Sequence, residues 1–183
     1  MLSWLTRRSQ HNRTAGDIYG SIVASARQPK FYADWGVPDT REGRFEMLAL
    51  HVALVMRRLG RISPGGTELS RALAETFITD MDDNMREIGI GDLAVPKKIK
   101  RAAAALYDRH RDYGAAMAAG ADETGLSMVV ATAFAGGSST VDAAPGLDKG
   151  ALAHYMQRLD GALAVTSDTD CLAGKLPLPW PPI

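Results

Sequence analysis

Hydrophobic residues recur along most of this chain at intervals of three and four positions, the spacing that places them on one face of an α-helix. Alternation of hydrophobic and polar residues with a period of two, which would indicate half-buried strands, is hard to find. The pattern therefore predicts an all-α protein, a single-domain bundle of about six to seven helices.

The segment Arg41–Leu59 is predicted to be the most hydrophobic helix, with Thr40 as its N-terminal cap. It is apolar around most of its circumference, which is typical of a helix inside a bundle or against a partner. One stripe on this helix consists of Phe45, Leu48, Val52, Val55 and Leu59, and a second face carries Met47, Leu50 and Leu54.

The other helices are separated by glycine- and proline-containing turns. Pro29 is expected to end the first helix, and Pro96 fits the first turn of the fourth, where a missing N–H costs nothing. Residues 126–134 are apolar without clear amphipathicity, so pattern alone allows a buried helix or a strand, and the helical neighbours favour a helix. The remaining helices are predicted over about residues 16–28 and 148–165, after the turn at 63–66 with an apolar stripe from Leu69 to Ile88, and from Pro96 with a stripe that continues to Tyr113.

The two ends of the chain are expected to differ from the bundle. Residues 1–14 are predicted to be a flexible basic N-terminus, residues 15–165 the helical domain, and residues 166–183 an extended proline-rich tail, because its prolines are incompatible with regular helix. Trp180 is either pinned to the bundle or left as a contact point. Trp4 and the nearby arginines are either disordered or rest on an anionic membrane surface.

Composition restricts the function further. With 183 residues, 46% of them hydrophobic, the chain can bury one sizeable core. The formal net charge is zero, so the chain as a whole has no electrostatic tendency to bind nucleic acid, and charged binding must be local. The chain has one cysteine, Cys171, so it cannot form an internal disulfide.

The chain shows neither a secretory signal nor a membrane span. Its start lacks the apolar run and cleavage site of a signal peptide. The longest strongly apolar run, 47–56, is far shorter than the roughly 20 residues that cross a bilayer. We therefore expect a cytoplasmic protein, with peripheral contact at the inner face of the cytoplasmic membrane as an option.

Charged residues cluster around the turn at 88–95. Asp80, Asp83 and Glu87 share one face of the third long helix, where they repel one another. The next helix begins with four cations at the positive end of its dipole, an unfavourable placement unless something compensates. Either the nearby carboxylates do so in an intramolecular charge network, or an anionic partner does. The four cations are Lys97, Lys98, Lys100 and Arg101.

Catalytic and metal-binding motifs are missing from the sequence, and no cofactor is expected. There is no nucleophile elbow and no His-Glu-x-x-His, and the four histidines are scattered singly. Residues 80–84 partly resemble a calcium loop but lack its glycine and its final glutamate. His51 is the most plausible acid–base candidate, although a hydrogen-bonded core or interface histidine is favoured.

Two blocks of the chain resemble a known family. The first, residues 45–59 (FEMLALHVALVMRRL), is similar to the core signature of the ubiquinol-cytochrome c chaperone family, assembly factors for cytochrome b of the respiratory cytochrome bc complex. Similarity extends over about residues 19–163, and the length resembles compact bacterial-type members. The second block is similar in order and spacing at Phe77, 80–82, 85–87, 89–92, 95–98, Tyr107 and Tyr113.

The resemblance implies a helical, non-enzymatic chaperone that holds newly made cytochrome b, or another subunit of the complex, until haem and partner subunits are in place. Its client would need apolar surface and acidic groups for basic loops. Candidates for these contacts are Phe45, Leu48, His51, Val52, Asp80, Asp83 and Glu87.

Two alternatives come from other classes. One is a helical module that binds acidic lipid or nucleic acid through residues 97–101, with nucleic acid disfavoured by the neutral chain. The other is a small-molecule enzyme that uses His51 or the carboxylates.

Overall fold

The protein is all-helical in its computed structural model, which describes residues 3–89, 91, 93–118, 123–135 and 145–181, with the side chains of 3–7 and 123 excepted. No strand occurs among these residues. The prediction of an all-α single domain is confirmed, with six long helices and two short ones described. They are α1 (Ser3–Ala26), α2 (Pro29–Ala33), α3 (Arg41–Leu59), α4 (Gly66–Glu87), α5 (Val95–Ala118), α6 (Glu123–Phe134), α7 (Lys149–Val165) and α8 (Asp168–Leu172).

Helix α3 is the centre of the bundle. Helices α1, α4, α5, α6 and α7 all pack against it, and every residue from Glu46 to Met56 is buried. A helix that is apolar on nearly all sides needs cover on nearly all sides, which explains this position. Thr40 caps it as predicted, since its hydroxyl accepts a hydrogen bond from the Gly43 N–H at 3.1 Å.

The outer helices pack in pairs around α3. Helix α1 lies along α4, α5 contacts α4 and α6, and α6 packs on α7. Residues 126–134, ambiguous in sequence, belong to α6, and Leu126 and Val130 are fully buried. The single core therefore extends from α1 to α8, where Cys171 is buried.

Two glycines permit close approach between segments. Gly36 has a φ of +65°, and a Cβ there would collide with the carbonyl of Gly146, so the chain before α3 can lie against the segment that precedes α7. The Trp35 carbonyl accepts a hydrogen bond from the Asp148 N–H at 2.8 Å in the same place. A Cβ at Gly66 would collide with the carbonyl of Leu59, so glycine allows the tight connection from α3 to α4.

The C-terminal end of α4 and the N-terminal end of α5 lie outside the core. The apolar stripe of α4 is buried at Leu69, Leu73 and Phe77, but Ile88 at its C-terminal end is 47% exposed. The described part of the bundle therefore covers the start of this stripe and leaves its C-terminal end exposed. Of the side chains described between Asp82 and Arg101, only Val95 is buried.

Both ends of the chain contain helix in segments that were expected to be flexible or extended. Helix α1 begins at Ser3, within the segment expected to be flexible, and α8 lies within the segment expected to be an extended tail. Residues 173–181 form neither helix nor strand. Leu176, Leu178 and Trp180 pack against the core, so Trp180 is pinned to the bundle.

Candidate functional site

His51 lies in the centre of the core and makes two short hydrogen bonds. Its Nδ1 is 2.7 Å from the Met47 carbonyl oxygen, and its Nε2 is 2.6 Å from the Tyr155 hydroxyl. Because a carbonyl can only accept, Nδ1 carries the proton, and Nε2 accepts from Tyr155. Burial lowers the pKa of His51 to about 4, so the ring is neutral at physiological pH.

Aromatic rings pack around His51 and Tyr155. Phe31 makes edge contacts with Trp35, His51 and Tyr155, at centroid distances of 5.3, 6.0 and 5.0 Å. Both nitrogens of His51 are occupied and none of its surface is exposed, so the ring has no access to a substrate in this conformation. The interpretation of His51 as a hydrogen-bonded core histidine is confirmed.

The other apolar candidates on α3 also face inward. Leu48 and Val52 are buried, and Phe45 is half-buried with its ring 5.7 Å from that of Phe77 on α4. In the closed bundle these side chains form the scaffold, and a client could contact Leu48 or Val52 only after the bundle opens.

The acidic candidates on α4 lie at the surface but differ in their partners. Asp80 accepts a hydrogen bond from the Tyr19 hydroxyl of α1 at 2.7 Å, which ties the two helices together. Burial and the contact with Asp80 raise the pKa of Tyr19, so it stays protonated. Asp83 and Glu87 are exposed and have no hydrogen bond or ion pair within the described chain.

An open groove runs between α1 and α4. Two adjoining cavities of about 580 and 430 Å³ form it, and they share Asn12, Ala72 and Glu75. Its lining contains more carboxylates than guanidinium groups, and Arg71 lies 3.9 Å from Glu75. The groove therefore favours a cationic ligand. Its carboxylates are Glu68, Glu75, Asp80 and Asp83, and its arginines are Arg8 and Arg71.

The basic start of α5 is exposed. Within the described part of the chain, Lys97, Lys98, Lys100 and Arg101 make no ion pair with α4 or with any other element. Of the two alternatives for these cations, the intramolecular charge network is therefore not seen there; the nearby carboxylate Asp92 lies outside the described residues. Leu93 beside them is fully exposed.

A buried ion pair was missed by the sequence analysis. Arg109 of α5 donates from Nε and Nη2 to the two carboxylate oxygens of Glu46 at 2.8 and 2.9 Å, and from Nη2 to the Ala133 carbonyl of α6 at 3.2 Å. The two side chains are only 14% and 10% exposed. The available signal was a carboxylate, Glu46, directly before the apolar run 47–56 of α3.

A second cluster joins the ends of α3 and α7. Arg58 donates to the carbonyls of Leu163 and Thr166 and to the Asp168 carboxylate, at 2.8, 2.7 and 2.6 Å. Arg57 pairs with Asp160 at 2.6 Å. These arginines lie at the negative end of the α3 dipole and also have specific partners on α7 and α8.

Two further features were sought among the described residues, a metal-binding group and a membrane-spanning helix. No group of three or more His, Cys, Asp or Glu side chains among them is arranged to hold a metal ion. No helix within the described ranges combines the length and the apolar character needed to cross a bilayer.

Comparison with known proteins agrees with the resemblance seen in residues 45–113. The sequence model of the ubiquinol-cytochrome c chaperone family matches residues 33–180. The crystal structure of the Cbp3 homolog from Brucella abortus superposes with a TM-score of 0.80 at 35% identity, over 97% of this chain and 96% of that one. No curated protein matches. With most of its length matched by the family model, the chain belongs to the ubiquinol-cytochrome c chaperone family.

Proposed function

We propose that this protein is a non-enzymatic assembly chaperone that binds newly made cytochrome b during biogenesis of the respiratory cytochrome bc complex. The observation that carries the proposal is the family match over residues 33–180, supported by structural similarity to a Cbp3 homolog along nearly the whole chain. The burial of His51 supports a binding role over an acid–base one. The protein acts in the cytoplasm, at the inner face of the membrane that receives its client.

The groove between α1 and α4 is the surface best suited to such a client. Loops of polytopic membrane proteins that remain on the cytoplasmic side are enriched in lysine and arginine. Asp83 in the groove and Glu87 one turn further along α4 are exposed and without partners in the described chain, so they are available to such loops. Asp80 is held by Tyr19 and orders the groove wall.

The proposal is tested first by deletion of the gene. We expect membranes of the deletion strain to contain less assembled, haem-loaded cytochrome b, measured by difference spectra and native gels, and a plasmid copy to restore it. Unchanged levels of assembled complex in the deletion strain would overturn the proposal.

The acidic surface is tested by charge reversal. Asp83→Lys with Glu87→Lys should weaken capture of cytochrome b by about tenfold or more, because like charges then face the basic loop. Asp17→Lys with Asp34→Lys is the matched control, since both side chains are exposed, lie outside the groove lining and change the net charge equally. Equal capture by the two double variants, with unchanged circular dichroism, would remove the acidic face from the mechanism.

A further inference from the structure

Apolar and basic side chains meet where α4 ends and α5 begins. Leu93 is 100% exposed and Ile88 is 47% exposed, the first value the highest among the large hydrophobic residues described. Four exposed cations follow within the first two turns of α5. We define the α4–α5 tip as Ile88, Leu93, Lys97, Lys98, Lys100 and Arg101.

The four cations of the tip point to one side. With about 100° between successive residues of a helix, Lys97, Lys98, Lys100 and Arg101 fall within an arc of roughly 160°. This arc lies opposite the face that carries Val95, Ala102 and Leu106, which are buried. The cations therefore form one continuous solvent-facing patch.

The patch is uncompensated within the described chain. Cations at a helix N-terminus oppose the helix dipole, and none of these four side chains has an ion pair or a hydrogen bond within the described chain. The sequence from 92 to 101 contains one carboxylate, Asp92, and these four cations. Both the exposed leucine and the charge pattern are therefore unfavourable for the isolated protein and fit an external anionic partner with an apolar layer.

We propose that the α4–α5 tip docks this protein on anionic lipid bilayers. Leucine and isoleucine enter the boundary between headgroups and acyl chains, while lysine and arginine contact the lipid phosphates. The tip carries no aromatic side chain for stacking bases, which single-stranded nucleic acid would require. Because Asp83 and Glu87 are repelled by anionic headgroups, contact is made through Ile88, Leu93 and the start of α5 rather than through the acidic face of α4.

This docking is independent of the client proposed above, since the purified chain alone should bind. We expect the protein to float with vesicles of phosphatidylcholine that contain about 30% phosphatidylglycerol, and not with phosphatidylcholine alone. Binding should disappear in about 0.5 M salt. Equal binding to neutral vesicles, or salt-sensitive binding to nucleic acid without vesicle flotation, would overturn the proposal.

Two matched variants locate the contact. Lys97→Gln with Lys98→Gln should lower vesicle partitioning by about thirtyfold, since each cation near an anionic surface contributes about fivefold. Arg61→Gln with Lys175→Gln changes the net charge equally at exposed sites outside the tip and should have less than about a twofold effect. An equal loss in both double variants would overturn the assignment to the tip.

Insertion of Leu93 is tested by labelling. Because Cys171 is buried, the variant Leu93→Cys can be labelled selectively with an environment-sensitive fluorophore. Its emission should shift to the blue on anionic vesicles, whereas the same label at Val165→Cys, a site 87% exposed on α7, should not shift. No shift at Leu93, or equal shifts at both sites, would overturn the proposed docking.

Discussion

The buried ion pair between Glu46 and Arg109 predicts a large loss of stability in the variant Arg109→Met. The pair is bidentate, with N–O distances of 2.8 and 2.9 Å, and it joins α3 to α5. Methionine retains most of the apolar stem but removes every donor. Glu46 is then left as an isolated carboxylate in a helix that is buried from residue 46 to residue 56.

The expected cost is set by the low exposure of both side chains. Breaking a buried pair on one side costs about 3–5 kcal/mol, because the remaining charge keeps its desolvation penalty without a partner. Small domains have a free energy of unfolding of about 5–15 kcal/mol, so Arg109→Met removes a large part of the total. Arg111→Met is the matched control on α5, since Arg111 is 68% exposed and solvent screens its ion pairs with Asp108 and Asp112.

The loss should depend on pH in a predictable direction. Burial raises the pKa of Glu46, and the hydrogen bonds from Arg109 oppose that rise. A carboxyl with a raised pKa binds more protons in the native state than in the unfolded state, so stability falls as the pH rises from its ordinary pKa to the raised one. Without Arg109 the pKa rises further. The variant should therefore lose least at acidic pH, where Glu46 is neutral, and most near neutrality.

Urea unfolding at several pH values between about 4 and 8 measures this prediction. The double variant Glu46→Leu with Arg109→Met should recover much of the loss, because no unpaired charge remains. If Arg109→Met is no more destabilising than Arg111→Met at neutral pH, or if its cost does not change with pH, the argument from the buried pair is refuted.

Three further predictions concern the core. The Tyr113 hydroxyl is buried and has no hydrogen-bond partner among the described residues, so Tyr113→Phe should be neutral or stabilise by about 1 kcal/mol in urea unfolding. Tyr155→Phe should instead cost about 1–3 kcal/mol, because it leaves Nε2 of His51 unsatisfied. Since burial lowers the pKa of His51 to about 4, the native state binds fewer protons than the unfolded chain, and about 3 kcal/mol of stability should be lost as the pH falls from about 6.5 to 4. If thermal unfolding shows no such loss of stability over this pH range, the assignment of His51 as a neutral core histidine is contradicted. Arg58→Ala should cost roughly 2–4 kcal/mol and accelerate amide exchange around Asp168, and unchanged exchange there would show that the cluster does not hold α8.

Features that depend on neighbours in the chain were predictable. The bounds of α3, its Thr40 cap and the position of Pro96 in the first turn of α5 agree with the structure, because helical periodicity and capping act over a few residues. The same holds for the buried faces of α3 and α7. His51 was interpreted as a hydrogen-bonded core or interface histidine because it stands within a long apolar run, and the structure shows the first of these, the core.

Features that depend on contacts between residues far apart in the sequence were not predictable. The partner of Glu46 lies 63 residues away and that of Tyr155 lies 104 residues away, and no local pattern selects them. The acidic and basic helix ends adjoin in sequence, yet no ion pair joins them among the described residues. The pinning of Trp180 by Ser25 and Gln28 is equally non-local.

The sequence by itself determined the helical class, the central hydrophobic helix and the family, since each follows from residue order and short-range periodicity. Only the tertiary structure decided which side chains are accessible. It placed Leu48, His51 and Val52 in the core and left Asp83, Glu87, Leu93 and the cations of α5 at the surface. The physical reason is that an apolar face looks the same in sequence whether a neighbouring helix or a partner covers it, and only the packed bundle shows which faces are already covered.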